Sequence, residues 1–336
     1  KETPLIKGKH FDYVGITTCC VGLFCILLAL SDGNKYGWGS PIIVGLLALS
    51  MFNLTIFVIN ELHHPEPILD LRMFKNYIFT LSVIIGSFLA IGMFGAIFMV
   101  PLLLQNVLGQ TAMKTGLIMF PAALASGIMM PISGRLFDKY GARGIVVFGL
   151  ALVTWTTYAM KDFNAFTPFA AMTVWLTLRG AGMGFAMMPA TTAGMNVVPP
   201  QLIGRASALS NVIRQVSSSF GIAMFTSIMQ SRQVFHFSNL AQSANFNSGE
   251  YMQLQARLND AATSLGLGYS GSQSLGISLV AQQIAKQSMI AAISDCFIVA
   301  AAMCLLALVL AFFLKKPQPH QLPAAVEQPR LLAAEN

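Results

Sequence analysis

An all-α integral membrane fold with about eight transmembrane helices is what this sequence predicts, on three observations. Of its 336 residues, 55% are hydrophobic and only 10% are charged, whereas a soluble domain carries about a quarter charged residues. Apolar runs long enough to span a bilayer recur along the chain, and lysine and arginine collect at the ends of those runs. A chain so poor in charge cannot coat a globule with polar surface, so most of its solvent must be lipid.

The runs lie at about 13–31, 41–60, 77–105, 112–133, 144–160, 167–190, 207–229 and 287–314. About 20 apolar residues cross the hydrocarbon core, and a helix satisfies its own backbone hydrogen bonds there. Residues 1–12 read as a lead-in, 61–76 as a loop, 230–286 as a long loop on the opposite side, and 315–336 as a Pro/Gln/Ala-rich disordered tail. Within the long loop, Tyr251, Leu254 and Leu258 recur at helical spacing and predict an amphipathic surface helix. The chain opens on Lys1 and shows no signal peptide, so a preceding segment is expected.

Charge sets the orientation. With eight spans both termini share a side, and that side carries twelve basic residues: Lys1, Lys7, Lys9, Arg72, Lys75, Arg135, Lys139, Arg143, Arg205, Lys315, Lys316 and Arg330. The short loops opposite carry three: Lys35, Lys114 and Lys161. The positive-inside rule then places both termini in the cytoplasm. The same distribution accounts for the net charge of +7 without a nucleic-acid partner.

Little points to chemistry on a bound group. The five cysteines (Cys19, Cys20, Cys25, Cys296, Cys304) lie in apolar segments without metal-ligand spacing and read as buried, inert thiols. The five histidines, His236 among them, fall in predicted loops or tails. The glycines at 266, 268, 271 and 276 lack the lysine and preceding strand of a phosphate loop. No nucleophile–base pair or paired carboxylates stand inside the spans, so an enzyme is not expected, nor a cofactor or metal.

Between the fourth and fifth spans stands Gly134-Arg135-Leu136-Phe137-Asp138-Lys139-Tyr140-Gly141-Ala142-Arg143. Its glycines permit a tight turn and close helix approach. Asp138 can pair with Arg143 or with a helix N-terminus. Two spans later comes Arg179-Gly180-Ala181-Gly182-Met183-Gly184, in which Gly180 and Gly184 form GxxxG, a spacing that permits close helix packing.

The first segment resembles the G-x-L-x-D-[RK]-x-G-x-[RK] loop of the major facilitator superfamily, and the second resembles the arginine-glycine motif of a later helix in the same half. The chain is also similar to the fourteen-helix drug:proton antiporters of the EmrB/QacA type in PEPILDLRMFKN at 65–76, PLLLQNVLG at 101–109, PISGRLFDKYGAR at 131–143 and MMPATTAGMN at 187–196. The resemblance implies a C-terminal six-helix half at 77–314, preceded by two extra helices at 13–60. It implies a multi-pass protein of a bacterial inner or plasma membrane that exports amphipathic small molecules against proton entry, by alternating access. Gly134, Arg135, Asp138, Lys139, Gly141 and Arg143 would act as a conformational gate. The six N-terminal helices of that family are not in the sequence, and the span 207–229, which contains no proline, lacks the family's antiporter motif. The expected partner is therefore the missing half or an equivalent, and the alternative is a fragment inactive in transport without it.

Three ionisable residues fall inside the predicted spans: Arg179, Arg214 and Asp295. Each costs about 2.5–3.5 kcal/mol at mid-bilayer and needs a partner or water. Asn211, Arg214, Gln215 and Ser218 follow i, i+3, i+4, i+7 and form one polar stripe, which either lines a wet cavity in contact with substrate or bonds helices together. Arg179 either shapes that cavity or is structural. Asp295, about 12 Å into the last span at 1.5 Å per residue, is a candidate proton carrier or a carboxylate paired with a basic or hydroxyl neighbour near the outer surface.

Overall fold

Several helices begin where a side chain can take up the first free backbone N–H groups. In the computed structural model, which describes residues 12–63, 69, 71–243 and 269–314, Asp12 accepts from the N–H of Gly15 at 2.8 Å and opens α1, Tyr13–Tyr36. Gly37, at φ +86°, ends α1, and α2 follows as Pro41–His63. After a 3₁₀ turn at Leu71–Lys75, Asn76 caps α3, Tyr77–Leu102, by accepting from Ile78 and Phe79. Thr111 caps α4, Ala112–Tyr140, in the same way. The remaining helices are α5, Ala142–Ala159; α6, Phe169–Met195; α7, Ile203–Ser243; and α8, Tyr269–Ala311.

Among the described residues every regular element is helical. Six stretches, comprising α1 to α5 with their short extensions and Ile277–Phe312 of α8, are long and apolar enough to cross a membrane. The other two expected spans, in α6 and α7, are long helices, diluted respectively by glycines with Arg179 and by serines with the Asn211–Gln215 group. Large apolar side chains such as Phe24, Phe52, Phe120, Phe148, Trp155 and Phe313 are exposed around the bundle, as suits a surface facing lipid rather than water.

Helix α3 is central and touches α6, α7 and α8. Helix α5 fills the space between α6 and α8, α4 lies on α6, and α1 and α2 form a hairpin attached through α1 to α7. The core has two stretches along the bundle. One is built from Ile85, Leu89, Val146, Leu150, Ala186 and Ala307. The other, farther along α3, holds Met99, Leu103, Met172, Phe225 and Phe297. Hydroxyl and amide groups link helices to one another, as expected where water is excluded. Ser50 donates to the carbonyl of Gly22, Ser133 to that of Phe185, and Asn34 of α1 to that of Ser227 on α7.

Several expectations need correction. The long loop drawn at 230–286 is mostly not a loop where it is described. Helix α7 continues to Ser243 and α8 already begins at Tyr269, because polar residues end a membrane span without ending a helix. His236 therefore sits on a helix. The amphipathic helix expected around Tyr251 to Leu258, the glycines at 266 and 268, the lead-in before Asp12 and the tail from 315 lie outside the described residues. Cys20 is exposed on α1 and Cys19 is half-buried, while Cys25, Cys296 and Cys304 are buried. Helix α3 passes through Pro101 and continues as a π turn at Leu103–Val107, an irregularity the apolar run conceals.

Candidate functional site

The Gly134–Arg143 segment is not an open loop. It stays helical to Tyr140, and Gly141 alone, at φ +82°, turns the chain into α5. The glycine requirement is therefore at Gly141, where a left-handed backbone strains other residues, while Gly134 is an ordinary helical position beside Met188. Arg135, Lys139 and Arg143 are exposed at this basic end of the bundle, and Nζ of Lys139 lies 5.3 Å from the centre of the Tyr140 ring. The side chain of Asp138 is outside the described set.

Toward the same end, α3, α6 and α7 part to leave a cavity of about 330 Å³. Its walls include Ser82 and Gly86 from α3, Thr191 from α6, and Ser207, Ser210, Asn211 and Arg214 from α7. A second cavity of about 220 Å³ continues deeper, between Met93 and Phe94 of α3, Met187 of α6, and Arg214, Gln215 and Ser218 of α7. Arg214 lines both. Its guanidinium donates to the side-chain oxygen of Asn211 at 2.7 Å, so the first two members of the stripe act together. Ser218 is buried and donates to the carbonyl of Gln215. The stripe is thus a cavity wall, and its helical spacing was the signal for it.

Arg179 lies elsewhere. Only 3% exposed, it donates through Nε to the Thr157 hydroxyl at 3.1 Å and through Nη2 to the carbonyls of Gly92 and Met93 at 3.4 and 3.3 Å. It joins α3, α5 and α6 and is not among the residues lining the two cavities. Gly180 and Gly184, one turn apart beside it, bring α6 against the backbone of α4 at Ala122 and Ser126.

Asp295 is also away from the cavities. Its carboxylate lies 2.8 Å from Nε2 of His236 and 3.6 Å from Nε of Arg232, both on α7. The adjacent Ser294 donates to the carbonyl of Lys161 at the end of α5. Sequence reading gave a basic partner for Asp295 as one alternative but did not identify Arg232 or His236. Arg232 and His236 stand at i, i+4, a spacing that signals a shared helix face, but the segment was drawn as loop.

Comparison with known proteins bears on the same region. Residues 10–222 match the profile of the Major Facilitator Superfamily. The chain belongs to that superfamily. It is 31% identical over 312 residues to the uncharacterized MFS-type transporter YhcA of Bacillus subtilis, covering 93% of this chain and 59% of that protein. It is 30% identical to the multidrug export protein EmrB of Escherichia coli, covering 93% and 60%, and 35% identical to the multidrug transporter protein MdtP of Bacillus subtilis, covering 66% and 41%. The chain thus spans about 60% of the length of YhcA and EmrB. The superfamily relationship and the membrane-length helices make it a multi-pass bacterial membrane protein, as the sequence led us to expect.

Proposed function

We propose that this chain forms one side of an exporter that moves amphipathic, drug-like compounds across the cell membrane by alternating access, in exchange for protons. The observation that carries the reading is the polar wall of Asn211, Arg214 and Gln215, set in a cavity between apolar helices, in a chain related to proteins named for multidrug export. Such a wall offers a few polar contacts within a mostly apolar surface, the usual character of a small-molecule site. Asp138 and its basic neighbours Arg135, Lys139 and Arg143 follow α4 to the basic end of the bundle and would close that end in one state. Both termini would then be cytoplasmic, and 77–314 would be the moving half, with the 13–60 hairpin attached to it.

A second reading rests on the span of about 60% of EmrB: the wall is complete only beside a complementary half, the partner expected for this chain. Proteoliposomes distinguish the two. A complete exporter is expected to give pH-gradient-driven dye movement that Asp138→Ala reduces at least tenfold. Movement by this chain alone would end the second reading. Movement only after co-expression with the N-terminal segment of a relative such as EmrB would establish it. No movement in either case would remove the export proposal.

Asp295 is not given the proton step. Its two basic partners are on α7, and its charge serves to hold α7 to α8. Asp295→Asn is expected to leave gradient-driven dye movement within about twofold of the parent. It should lower stability by about 1 kcal/mol, the scale of a partly exposed ion pair. Loss of all coupling with an unchanged melting temperature would make Asp295 the carrier after all.

A further inference from the structure

We infer that the cavity at the basic end selects substrates bearing an acidic group: an amphipathic carboxylate whose oxygens meet Arg214 and whose apolar body lies deeper along α3. The inference rests on the export reading and names the class of compound that this wall receives.

Four observations lead there. First, Arg214 is the charged residue in the lining of both cavities. Its recorded side-chain bond is to a neutral amide oxygen, that of Asn211, and among the described residues no carboxylate lies within ion-pairing distance of it. A guanidinium carries five N–H donors and no acceptor, so donors remain for a ligand. Second, the other polar groups of the wall are hydroxyls. Ser82, Thr191, Ser207 and Ser210 line the same cavity; Ser82 and Thr191 donate to helix carbonyls of Phe79 and of Met187 and Met188, which leaves Ser207 and Ser210 to donate to an anion. Third, the Ser210 hydroxyl oxygen is buried without a hydrogen-bond partner in a cavity otherwise rich in donors. A buried polar atom left unpaired is costly, and a ligand oxygen at this place would relieve it. Fourth, the deeper cavity turns apolar, with Leu89, Met93, Phe94 and Met187 beyond Arg214, so the charged and apolar ends of an amphiphile have separate places.

Electrostatics reinforce the direction. A guanidinium with no carboxylate partner among the described residues attracts an anion and repels an ammonium group. A wall suited to lipophilic cations would present a carboxylate to the same space; Phe94 of the deeper cavity shares that lining with the Arg214 guanidinium.

The test uses three pyrene amphiphiles that differ only in the end group: pyrenebutyrate, its neutral amide and the corresponding amine. Binding is read by energy transfer from tryptophan, with the protein in nanodiscs of neutral phosphatidylcholine and with empty discs subtracted. The carboxylate is expected to bind about tenfold tighter than the amide, the scale of one charge-assisted hydrogen bond, and the amine more weakly than either. Arg214→Gln should bring the carboxylate to the level of the amide, and an unchanged circular dichroism spectrum and elution volume show that the variant is folded. Ser210→Ala, a smaller change, should reduce the preference about threefold.

Three results would overturn the inference. The amine could bind as tightly as the carboxylate. The preference could survive Arg214→Gln, which would trace it to the general basic surface of Arg135, Arg143 and Arg205. Or phosphatidylglycerol in the disc could displace the carboxylate, making the occupant a lipid headgroup. Equal binding of all three probes, together with dye movement in proteoliposomes, would remove the acidic preference and leave the export reading intact. No movement with a clear carboxylate preference would do the reverse.

Discussion

Replacing Arg179 by lysine is expected to destabilise the bundle by about 3 kcal/mol, more than replacing it by methionine, at about 1 kcal/mol. The usual order of conservative substitutions is inverted here because of how the guanidinium is held. It is 3% exposed and distributes its donors over three acceptors on two other helices: the Thr157 hydroxyl and the Gly92 and Met93 carbonyls. A planar fork reaches these points together, whereas an ammonium is a compact point charge. Lysine would keep the cost of burying a charge and lose most of the bonds that offset it, and a buried charge left short of partners costs about 3–5 kcal/mol. Methionine removes the charge and fills much of the same volume. The helix carbonyls of Gly92 and Met93 keep their own backbone donors, so they are not orphaned. Thermal unfolding in detergent micelles, followed by size-exclusion of the folded fraction, measures the difference. A lysine variant as stable as the parent, or more stable than the methionine variant, would show that the bonds around Arg179 do not hold the three helices.

The helices of the bundle were legible because lipid imposes a length and forbids unpaired backbone, so apolar runs of about 20 residues mark spans almost by themselves. The stripe from Asn211 to Ser218 was legible for a related reason: four polar residues at helical spacing in an apolar run have few places to go. What the pattern could not give was pairing in space. Arg179 and Arg214 are each the one cation of an apolar run, and either could line a cavity or bond helices together. One bonds to carbonyls of α3, and the other faces a cavity. The difference lies in Thr157 and Gly92, residues far away along the chain. The continuation of α7 through Arg232 and His236 was hidden because hydropathy marks where the membrane ends rather than where the helix ends. The pairing of those two residues with Asp295 was hidden with it.

The second large effect concerns the contact between α4 and α6. Gly180→Val is expected to prevent native packing, with a loss of 3 kcal/mol or more, on the order of the upper range for overpacking a tight interface. A Cβ at Gly180 would run into the carbonyl oxygen of Ala122, and one at Gly184 would meet the carbonyl of Ser126 at 2.6 Å and Cβ of Met129 at 2.8 Å. These obstacles are mostly backbone, which cannot swing aside as the tip of a side chain can. Ala122 and Ser126 are also one turn apart, so small residues on both helices face each other and set the distance between the axes. Any Cβ at these positions must push α4 outward, away from the Ser133 bond to the carbonyl of Phe185 farther along the same contact. By contrast Gly127, on α4 itself, has nothing within 4 Å of an added Cβ, so Gly127→Ala should be tolerated and even gain helix propensity. Comparing the two variants separates a packing effect from a general dislike of substitution in α4 and α6. If Gly180→Val and Gly127→Ala gave the same thermal midpoint, the close approach of these helices would not be what maintains the bundle, and the position of Arg179 next to it would need another cause.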